Sequence, residues 1–161
     1  MTNGNNFPAS GYVFNHIMLR VKDLTLSIAF YEDILGFTPI YREDFDADGF
    51  TIVYMAHVDP SHIPEHHEER RLWALSQTGV LELTYNHGSE KDPDLHYHNG
   101  NNEPRGYGHI CITVPDLQDA CLRMQSAGVR FKKRPDEGRM RYIAFILDPD
   151  DYWIEIMQYK A

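Results

Sequence analysis

Apolar and polar side chains alternate in eight short stretches of the chain, and alternation of this kind predicts β-strands. Two of these strands contain the apolar sets Ile17, Leu19, Val21 and Ile110, Ile112, Val114. The others lie near residues 37–45, 50–58, 80–86, 129–133, 141–147 and 152–158. We expect each strand to bury one face and to leave polar groups on the other.

Two further stretches carry apolar residues at the spacing of an α-helix. The stripes are Leu24, Ile28, Tyr31 and Leu35 in the first stretch, and Leu117, Cys121, Met124 and Ala127 in the second. Asp23 and Asp116 stand where an N-cap is needed, and Gly36 and Gly128 stand where a helix ends. The sequence therefore predicts one helix after the first strand of each half.

The two halves of the chain repeat one another. The segment 16–24 matches the segment 109–117, with His, Ile, Val, Asp and Leu at the same offsets. The last strands match as well, because Leu-Glu-Leu at 81–83 corresponds to Ile-Glu-Ile at 154–156. Each half reads strand, helix, strand, strand, strand, so the predicted fold class is α+β with two βαβββ modules.

The spacing of the repeat also predicts the domain organisation. Glu82 lies 66 residues after His16, whereas Glu155 lies only 46 residues after His109, which places about 20 extra residues in the first half. We assign them to a polar insertion at about 59–79. The remaining divisions are a flexible tail at 1–10, a first module at 11–86, a linker at 87–104 and a second module at 105–161.

Composition excludes several classes of protein. The 161 residues include 24 acidic and 15 basic side chains, a formal net charge of −9, which disfavours binding to nucleic acid or to an anionic membrane surface. The apolar runs are far shorter than a membrane span, and residues 1–6 do not resemble a secretory signal. Two cysteines cannot form a disulfide framework, so we expect a reduced, cytoplasmic protein.

Four strands each place one imidazole or carboxylate on the face opposite the apolar residues. These residues are His16, Glu82, His109 and Glu155. A duplicated module would relate the two His–Glu pairs by approximate two-fold symmetry. Two imidazoles and two carboxylates suit a divalent ion such as Zn, Ni, Fe or Mn, so the repeat predicts a metal site.

The other candidate ligands are interpreted more simply. The four histidines between 57 and 67 fit no single face, and we expect a solvated insertion loop or short helix there. The histidines at 87, 96 and 98 are expected at the surface. We expect Cys111 and Cys121 to be small buried side chains rather than nucleophiles.

Several longer motifs give the chain a resemblance to a known family. They are MLRVKD at 18–23, LELT at 81–84, YHNGN at 97–101, PRGYGHI at 104–110, DPD at 148–150 and YWIEI at 152–156. Over about residues 12–158 the chain closely resembles the glyoxalase I (lactoylglutathione lyase) family of the vicinal-oxygen-chelate superfamily. That resemblance implies curved mixed sheets that form a metal-binding cleft between modules.

The resemblance also implies a reaction. Glyoxalase I isomerises the hemithioacetal of methylglyoxal and glutathione to S-lactoylglutathione, through an enediolate stabilised by a divalent metal. The family's metal ligands fall on His16, Glu82, His109 and Glu155, with Glu155 as the base that carries the proton and Glu82 as the partner carboxylate. The family's glutathione contacts fall on Arg20, Asn86, Arg105, Arg139 and Met140, with Lys133 nearby.

Two further expectations come from the resemblance. The family is typically a homodimer in which His16 and Glu82 of one chain would meet His109 and Glu155 of the other. Long forms, which have the insertion, usually carry Gln as first ligand and use zinc, whereas short forms usually carry His and use nickel or cobalt. This chain combines the insertion with His16. We predict zinc, with nickel or cobalt as alternatives.

Other functions remain open on the sequence alone. One alternative is another enzyme of the superfamily, such as an extradiol dioxygenase, an acyl-CoA epimerase or a thiol transferase that opens an antibiotic epoxide. Another is a metal-free binding module of the same fold. The set of four ligands and the basic residues expected to contact glutathione favour the isomerase.

Overall fold

The structure is a computed structural model, and it describes residues 11–159. The predicted flexible tail at 1–10 lies outside these residues. The first module contains strands β1 (His16–Val21), β2 (Thr38–Phe45), β3 (Phe50–Ala56) and β4 (Val80–Asn86), with helices α1 (Leu24–Ala29) and α2 (His67–Ser76). The second module contains helix α3 (Leu117–Ser126) and strands β5 (His109–Val114), β6 (Arg130–Lys133), β7 (Ile143–Leu147) and β8 (Trp153–Gln158).

Each module forms one four-stranded mixed sheet, which confirms the predicted pair of βαβββ modules. The strand orders are β1-β4-β3-β2 and β5-β8-β7-β6, and only the β1–β4 and β5–β8 pairs are parallel. The registers of the two sheets correspond as well. Met18 lies opposite Glu82, and Cys111, the equivalent of Met18 in the repeat, lies opposite Glu155.

Both predicted N-caps are present. Asp23 accepts hydrogen bonds from the backbone N–H groups of Thr25 and Leu26, and Asp116 accepts one from that of Asp119. Each bond satisfies a donor that the first helical turn leaves free. The first helix departs from the prediction, because its second half, Phe30–Ile34, is a π-helix.

One hydrophobic core joins the two modules. It contains Leu19 and Leu83 from the first sheet, Ile154 and Ile156 from the second, and apolar residues of α1 and α3. Because side chains alternate along a strand, the polar residues between these positions project from the opposite faces. The polar faces of both sheets are therefore turned away from the shared core.

A buried polar contact also connects the modules. The hydroxyl of Tyr31 donates a hydrogen bond of 2.9 Å to Asp148, and both side chains are completely buried. Asp148 also accepts hydrogen bonds from the backbone N–H groups of Asp150 and Tyr152. Burial raises the pKa of Asp148 to about 7, against the lowering effect of these three hydrogen bonds.

The insertion includes the ten-residue helix α2. The sequence had predicted either a solvated loop or a short helix there, and the structure shows the helix. Its residues Trp73 and Ala74 pack with Tyr54 and Val80 in a second, smaller core. Tyr54 lies opposite Glu82 in the sheet, so this core stands on the polar face of the first module. In the part of the chain that the structure describes, no helix is both long and apolar enough to cross a membrane.

Candidate metal centre

The first candidate pair of ligands is His16 on β1 and Glu82 on β4. Nε2 of His16 lies 3.1 Å from Oε2 of Glu82. The carboxylate side chain is only 13% exposed, whereas the imidazole is 31% exposed. The register explains the contact, because Met18 is opposite Glu82 and His16 projects from the same face two residues earlier.

The second pair repeats this geometry. Nε2 of His109 on β5 lies 3.3 Å from Oε2 of Glu155 on β8, and the carboxylate is 15% exposed. An aromatic ring packs against each imidazole from the neighbouring strand. Tyr54 lies 5.1 Å from His16 between ring centroids, and Phe145 lies 5.2 Å from His109.

The donor atoms of each pair fit two positions in the coordination shell of a divalent ion. With bonds of about 2.0 Å, two ligand atoms of a tetrahedral zinc are about 3.3 Å apart. The observed separations of 3.1 and 3.3 Å match this spacing. Within residues 11–159 of one chain, however, no three His, Cys, Asp or Glu side chains converge on a metal position. One chain therefore contains two separate half-sites.

The two carboxylates differ in how they are held. Glu82 accepts a hydrogen bond of 2.9 Å from the hydroxyl of Thr84. Tyr54 lies opposite Glu82 in the sheet, and burial together with this neighbouring carboxylate raises the pKa of Tyr54 to about 12. At Glu155 the equivalent places hold Met157 and Phe145, which have no hydroxyl groups.

Cys111 contradicts the expectation of two buried cysteines. Cys121 is buried in the shared core, but Cys111 is exposed. The alternation of β5 explains the error, because Ile110 and Ile112 occupy the core face and turn Cys111 to the side of Glu155. Partial burial and the neighbouring Glu155 raise the pKa of the Cys111 thiol to about 11, which disfavours a nucleophilic thiolate.

Comparison with known proteins gives the chain a family. Residues 13–156 match the family model of the Glyoxalase/Bleomycin resistance protein/Dioxygenase superfamily. The chain belongs to this superfamily. It is 50% identical to the lactoylglutathione lyase of Pseudomonas putida over 147 residues, which are 91% of this chain and 85% of that protein. It is 49% identical to the lactoylglutathione lyase of Pseudomonas aeruginosa over 147 residues, 91% of this chain and 82% of that one.

A solved structure supports the same assignment. The chain resembles the trypanothione-dependent glyoxalase I of Leishmania major with a TM-score of 0.68 and 31% identity. The similarity covers 91% of this chain and 86% of that one. The resemblance to glyoxalase I that the sequence motifs predicted is therefore confirmed.

Two residues that the glyoxalase resemblance assigns to glutathione lie in the first module. Arg20 is exposed at the far end of β1 from His16, on the same face, and it has no ion-pair partner among residues 11–159. Asn86 ends β4 beside it and donates a hydrogen bond of 3.4 Å to the hydroxyl of Tyr97. Both side chains are exposed.

The other assigned residues lie in or just before the second module. Arg139 and Met140 are exposed in the loop between β6 and β7. Lys133 donates hydrogen bonds to three carbonyls at the ends of this loop, those of Arg134, Met140 and Ile143, at 2.7–3.0 Å. Its ammonium therefore organises the loop. Arg105 is exposed and pairs with Glu103 at 3.0 Å.

The sequence analysis missed three residues around the first half-site. Asn15 hydrogen-bonds to His16, Thr84 hydrogen-bonds to Glu82, and the ring of Tyr54 packs on the imidazole of His16. Thr84 was detectable, since it follows Glu82 by two residues and shares its strand face. Tyr54 was not, because the register that sets it opposite Glu82 is a long-range property of the sheet.

The remaining histidines form no additional metal cluster among the described residues. Nε2 of His57 lies 2.8 Å from the carbonyl oxygen of Leu35, and its ring packs on Phe37 with 4.1 Å between centroids. His67 begins α2 and packs on Tyr41. These contacts agree with structural or solvated roles for the histidines of the insertion.

Proposed function

We propose that the protein is a lactoylglutathione lyase that isomerises the hemithioacetal of methylglyoxal and glutathione, in the detoxification of methylglyoxal. The observation that carries the proposal is the matched pair of His–Glu contacts on the two sheets, at 3.1 and 3.3 Å. Identities of 50% and 49% to lactoylglutathione lyases over most of the chain support it. The chain is an enzyme of the glyoxalase I type, and a metal-free binding module would have no need of these pairs.

The reaction requires a proton to move between adjacent carbons. A carboxylate removes the proton from the sulfur-bearing carbon, and the electron pair of that C–H bond forms the double bond of an enediolate while the π pair of the neighbouring carbonyl moves to its oxygen. The proton is then returned to the neighbouring carbon, the oxygen of that carbon is protonated, and the hydroxyl on the sulfur-bearing carbon loses its proton to become the thioester carbonyl. His16, Glu82, His109 and Glu155 would hold a divalent metal. When bound, that metal supplies positive charge that stabilises negative charge developing on the two substrate oxygens.

Glu155 is the better candidate for the base. A base must be able to change position slightly as it accepts and returns the proton. Glu82 accepts a hydrogen bond of 2.9 Å from the hydroxyl of Thr84, whereas Met157 stands in the equivalent place beside Glu155. This difference supports Glu155 as proton carrier and Glu82 as fixed partner.

The complete site would form across a homodimer. The two His–Glu pairs of one chain stand on sheet faces that point away from the core shared by its modules, so they do not converge. A two-fold dimer would bring the His16–Glu82 pair of one copy to the His109–Glu155 pair of the other, twice per dimer. Each site would then have four ligands.

A mixing experiment tests the dimer. The double variants His16→Ala/Glu82→Ala and His109→Ala/Glu155→Ala each leave every site with only two ligands, so both should be inactive. When the two chains are unfolded and refolded together, half of the dimers are mixed and each has one intact site. About a quarter of the wild-type activity should return. Absence of recovery despite mixed dimers would contradict the shared site.

The substrate carries two carboxylates on glutathione, which basic side chains would bind. This region would combine two sets of residues. The first module of one copy would supply Arg20 and Asn86, and the second module of the other copy would supply Arg105, Lys133, Arg139 and Met140. Exposure of Arg20 and Arg139 supports direct contact. For Lys133, the three loop carbonyls support an indirect role that positions Met140. We further propose zinc as the metal, and a cytoplasmic location in keeping with two free cysteines.

The decisive assay follows thioester formation by ultraviolet absorbance after the protein is added to methylglyoxal and glutathione. Metal-loaded protein should produce S-lactoylglutathione, and protein treated with a chelator should not. A matched incubation with fosfomycin and glutathione tests for a thiol transferase, and oxygen uptake with a catechol tests for a dioxygenase. Activity in either of these, with no thioester, would overturn the proposal.

A further inference from the structure

We propose that Asn15 is a positioning residue that sets the tautomer of the metal ligand His16, with its own amide orientation fixed by the end of the inserted helix α2; the inference rests on the proposed metal centre. The side-chain amide of Asn15 makes three hydrogen bonds in the loop before β1. Nδ2 donates to the carbonyls of Ala74 and Gln77, both at 2.8 Å. Oδ1 lies 2.7 Å from Nδ1 of His16.

These contacts determine which nitrogen of His16 carries a proton. Two carbonyl oxygens can only accept, so they fix the amide with Nδ2 toward α2. Oδ1 then faces His16 and can only accept as well, which requires a hydrogen on Nδ1. Nε2 is the nitrogen 3.1 Å from Glu82, and it is left available as the ligand atom. Asn15 therefore selects the tautomer that a metal at Nε2 needs.

The anchoring of Asn15 comes from the insertion. Ala74 lies in the last turn of α2, where its carbonyl also accepts a hydrogen bond of 3.2 Å from the N–H of Gln77, the residue that caps the end of the helix. The Asn15 amide donates to the carbonyls of both residues. The backbone of Asn15 is held as well, since its carbonyl accepts a hydrogen bond of 3.0 Å from the N–H of Val80. The end of α2 and the start of β4 thus fix Asn15 from two sides.

The second module has no residue equivalent to Asn15 that could hydrogen-bond to its histidine. In the repeat, Gly108 stands in the place of Asn15, and glycine has no side chain to accept from His109. Among residues 11–159, His109 is hydrogen-bonded or paired only through its Nε2 contact with Glu155. The ring contacts of the two histidines are alike, with Tyr54 and Phe145 respectively. The amide contact is therefore specific to the module that contains the insertion.

Metal affinity tests the inference directly. Zn²⁺ is titrated into metal-free protein in competition with a chromophoric chelator. Asn15→Ala should weaken binding about 10–100-fold, the usual effect of losing the outer partner of a ligating histidine. Asn15→Asp keeps an oxygen that accepts from Nδ1 but loses both donors to α2, so its affinity should stay within about threefold of wild type.

The comparison of the two variants separates positioning of His16 from stabilisation of the helix. Both variants lose the contacts to α2, and only Asn15→Ala also loses the acceptor for His16. Wild-type affinity in Asn15→Ala would overturn the inference, and so would equal weakening in the two variants. If wild-type protein itself fails to bind Zn²⁺ or Ni²⁺, the proposed metal centre fails instead.

A spectroscopic measurement needs neither a variant nor a metal. In proton–nitrogen NMR spectra of the metal-free wild-type protein, the Nδ1–H of His16 should appear as a resonance protected from exchange with water. No protected Nδ1–H is expected for His109. A His16 ring that carries its proton only on Nε2 would contradict the proposal, whatever the activity of the enzyme.

Discussion

Thr84 donates a hydrogen bond of 2.9 Å to Glu82, which precedes it by two residues on the same strand. The equivalent residue beside Glu155 is Met157, which has no hydroxyl to offer. Two modules with the same strand register thus hold their carboxylates in different ways. The difference predicts that the two carboxylates are not interchangeable in catalysis.

A hydroxyl introduced beside Glu155 should slow the reaction. In Met157→Thr, the new hydroxyl is expected to bond to Glu155 as Thr84 bonds to Glu82, and kcat should fall about fivefold, the equivalent of ~1 kcal/mol for one hydrogen bond. Met157→Val has nearly the same shape without the hydroxyl and serves as the control. Equal rates for the Thr and Val variants in steady-state assays would contradict the prediction.

The carboxylates themselves should respond unequally to removal of their charge. Glu155→Gln should lower kcat by about 10²–10⁴-fold, because the amide cannot accept the proton. Glu82→Gln, the matched change at the restrained position, should retain a larger share of the rate. Metal content is measured for both variants so that loss of the ion is not mistaken for loss of the base. If the Glu155→Gln variant kept most of its activity, Glu155 would not be the base.

Lys133 should affect substrate binding more than chemistry. Its ammonium holds the carbonyls of Arg134, Met140 and Ile143, so Lys133→Met should loosen the loop that carries Arg139. KM for the hemithioacetal should rise roughly tenfold, with a smaller change in kcat. Lys132→Met is the control, since Lys132 lies over the ring of Trp153 and bonds to none of these carbonyls. Equal KM values in the two variants would count against this role.

Asp148 should give stability an unusual dependence on pH. Burial raises its pKa in the folded protein to about 7, compared with about 3.9 in the unfolded chain. Between these values the folded protein holds a proton that the unfolded chain has released. The contribution of Asp148 to stability therefore falls as pH rises from about 4 to 7, and it is constant at higher pH.

The measurement for Asp148 is the free energy of unfolding in denaturant from pH 5 to 8, for wild type and for Asp148→Asn. Other carboxyl groups titrate similarly in both proteins, so the difference between them isolates this residue. Relative to the variant, wild type should lose stability on the order of 1 kcal/mol per pH unit below pH 7. A difference that does not change with pH would show that the carboxyl keeps an ordinary pKa.

Removal of the metal should abolish activity and identify the preferred ion. Chelator-treated protein should be inactive, because the proposed reaction needs a metal ion to stabilise the negative charge that develops on the substrate. We expect Zn²⁺ to restore the highest rate, with Ni²⁺ and Co²⁺ compared at equal occupancy. Full activity with Ni²⁺ and none with Zn²⁺ would overturn the choice of zinc and leave the half-site geometry unaffected.

Local patterns in the sequence were sufficient to predict much of the fold. Alternation at Ile17, Leu19 and Val21 predicted β1 and its faces, and Asp23 and Asp116 predicted the starts of two helices. The repeat then predicted the His–Glu pairs, because equivalent strands of two repeated modules place equivalent residues together. Each of these inferences depends on neighbours along the chain or on symmetry.

Features that depend on contacts between distant segments were not predictable. The bonds from Asn15 to the end of α2 cross about sixty residues of sequence, at separations of 59 and 62. The π-helix at Phe30–Ile34 has no distinctive composition, since its apolar residues satisfy an α-helical pattern equally well.

The parallel pairing of β1 with β4 links the metal site to the register of the sheet. Because side chains alternate, a slip of one residue would turn Glu82 into the core and bring Leu81 or Leu83 to the metal side. Burial of the hydrophobic residues therefore also fixes the distance between the ligands on the opposite face. A bound ion would in turn stabilise this strand register. Loss of strand order should therefore release the metal, so that retained metal reports on the integrity of the fold.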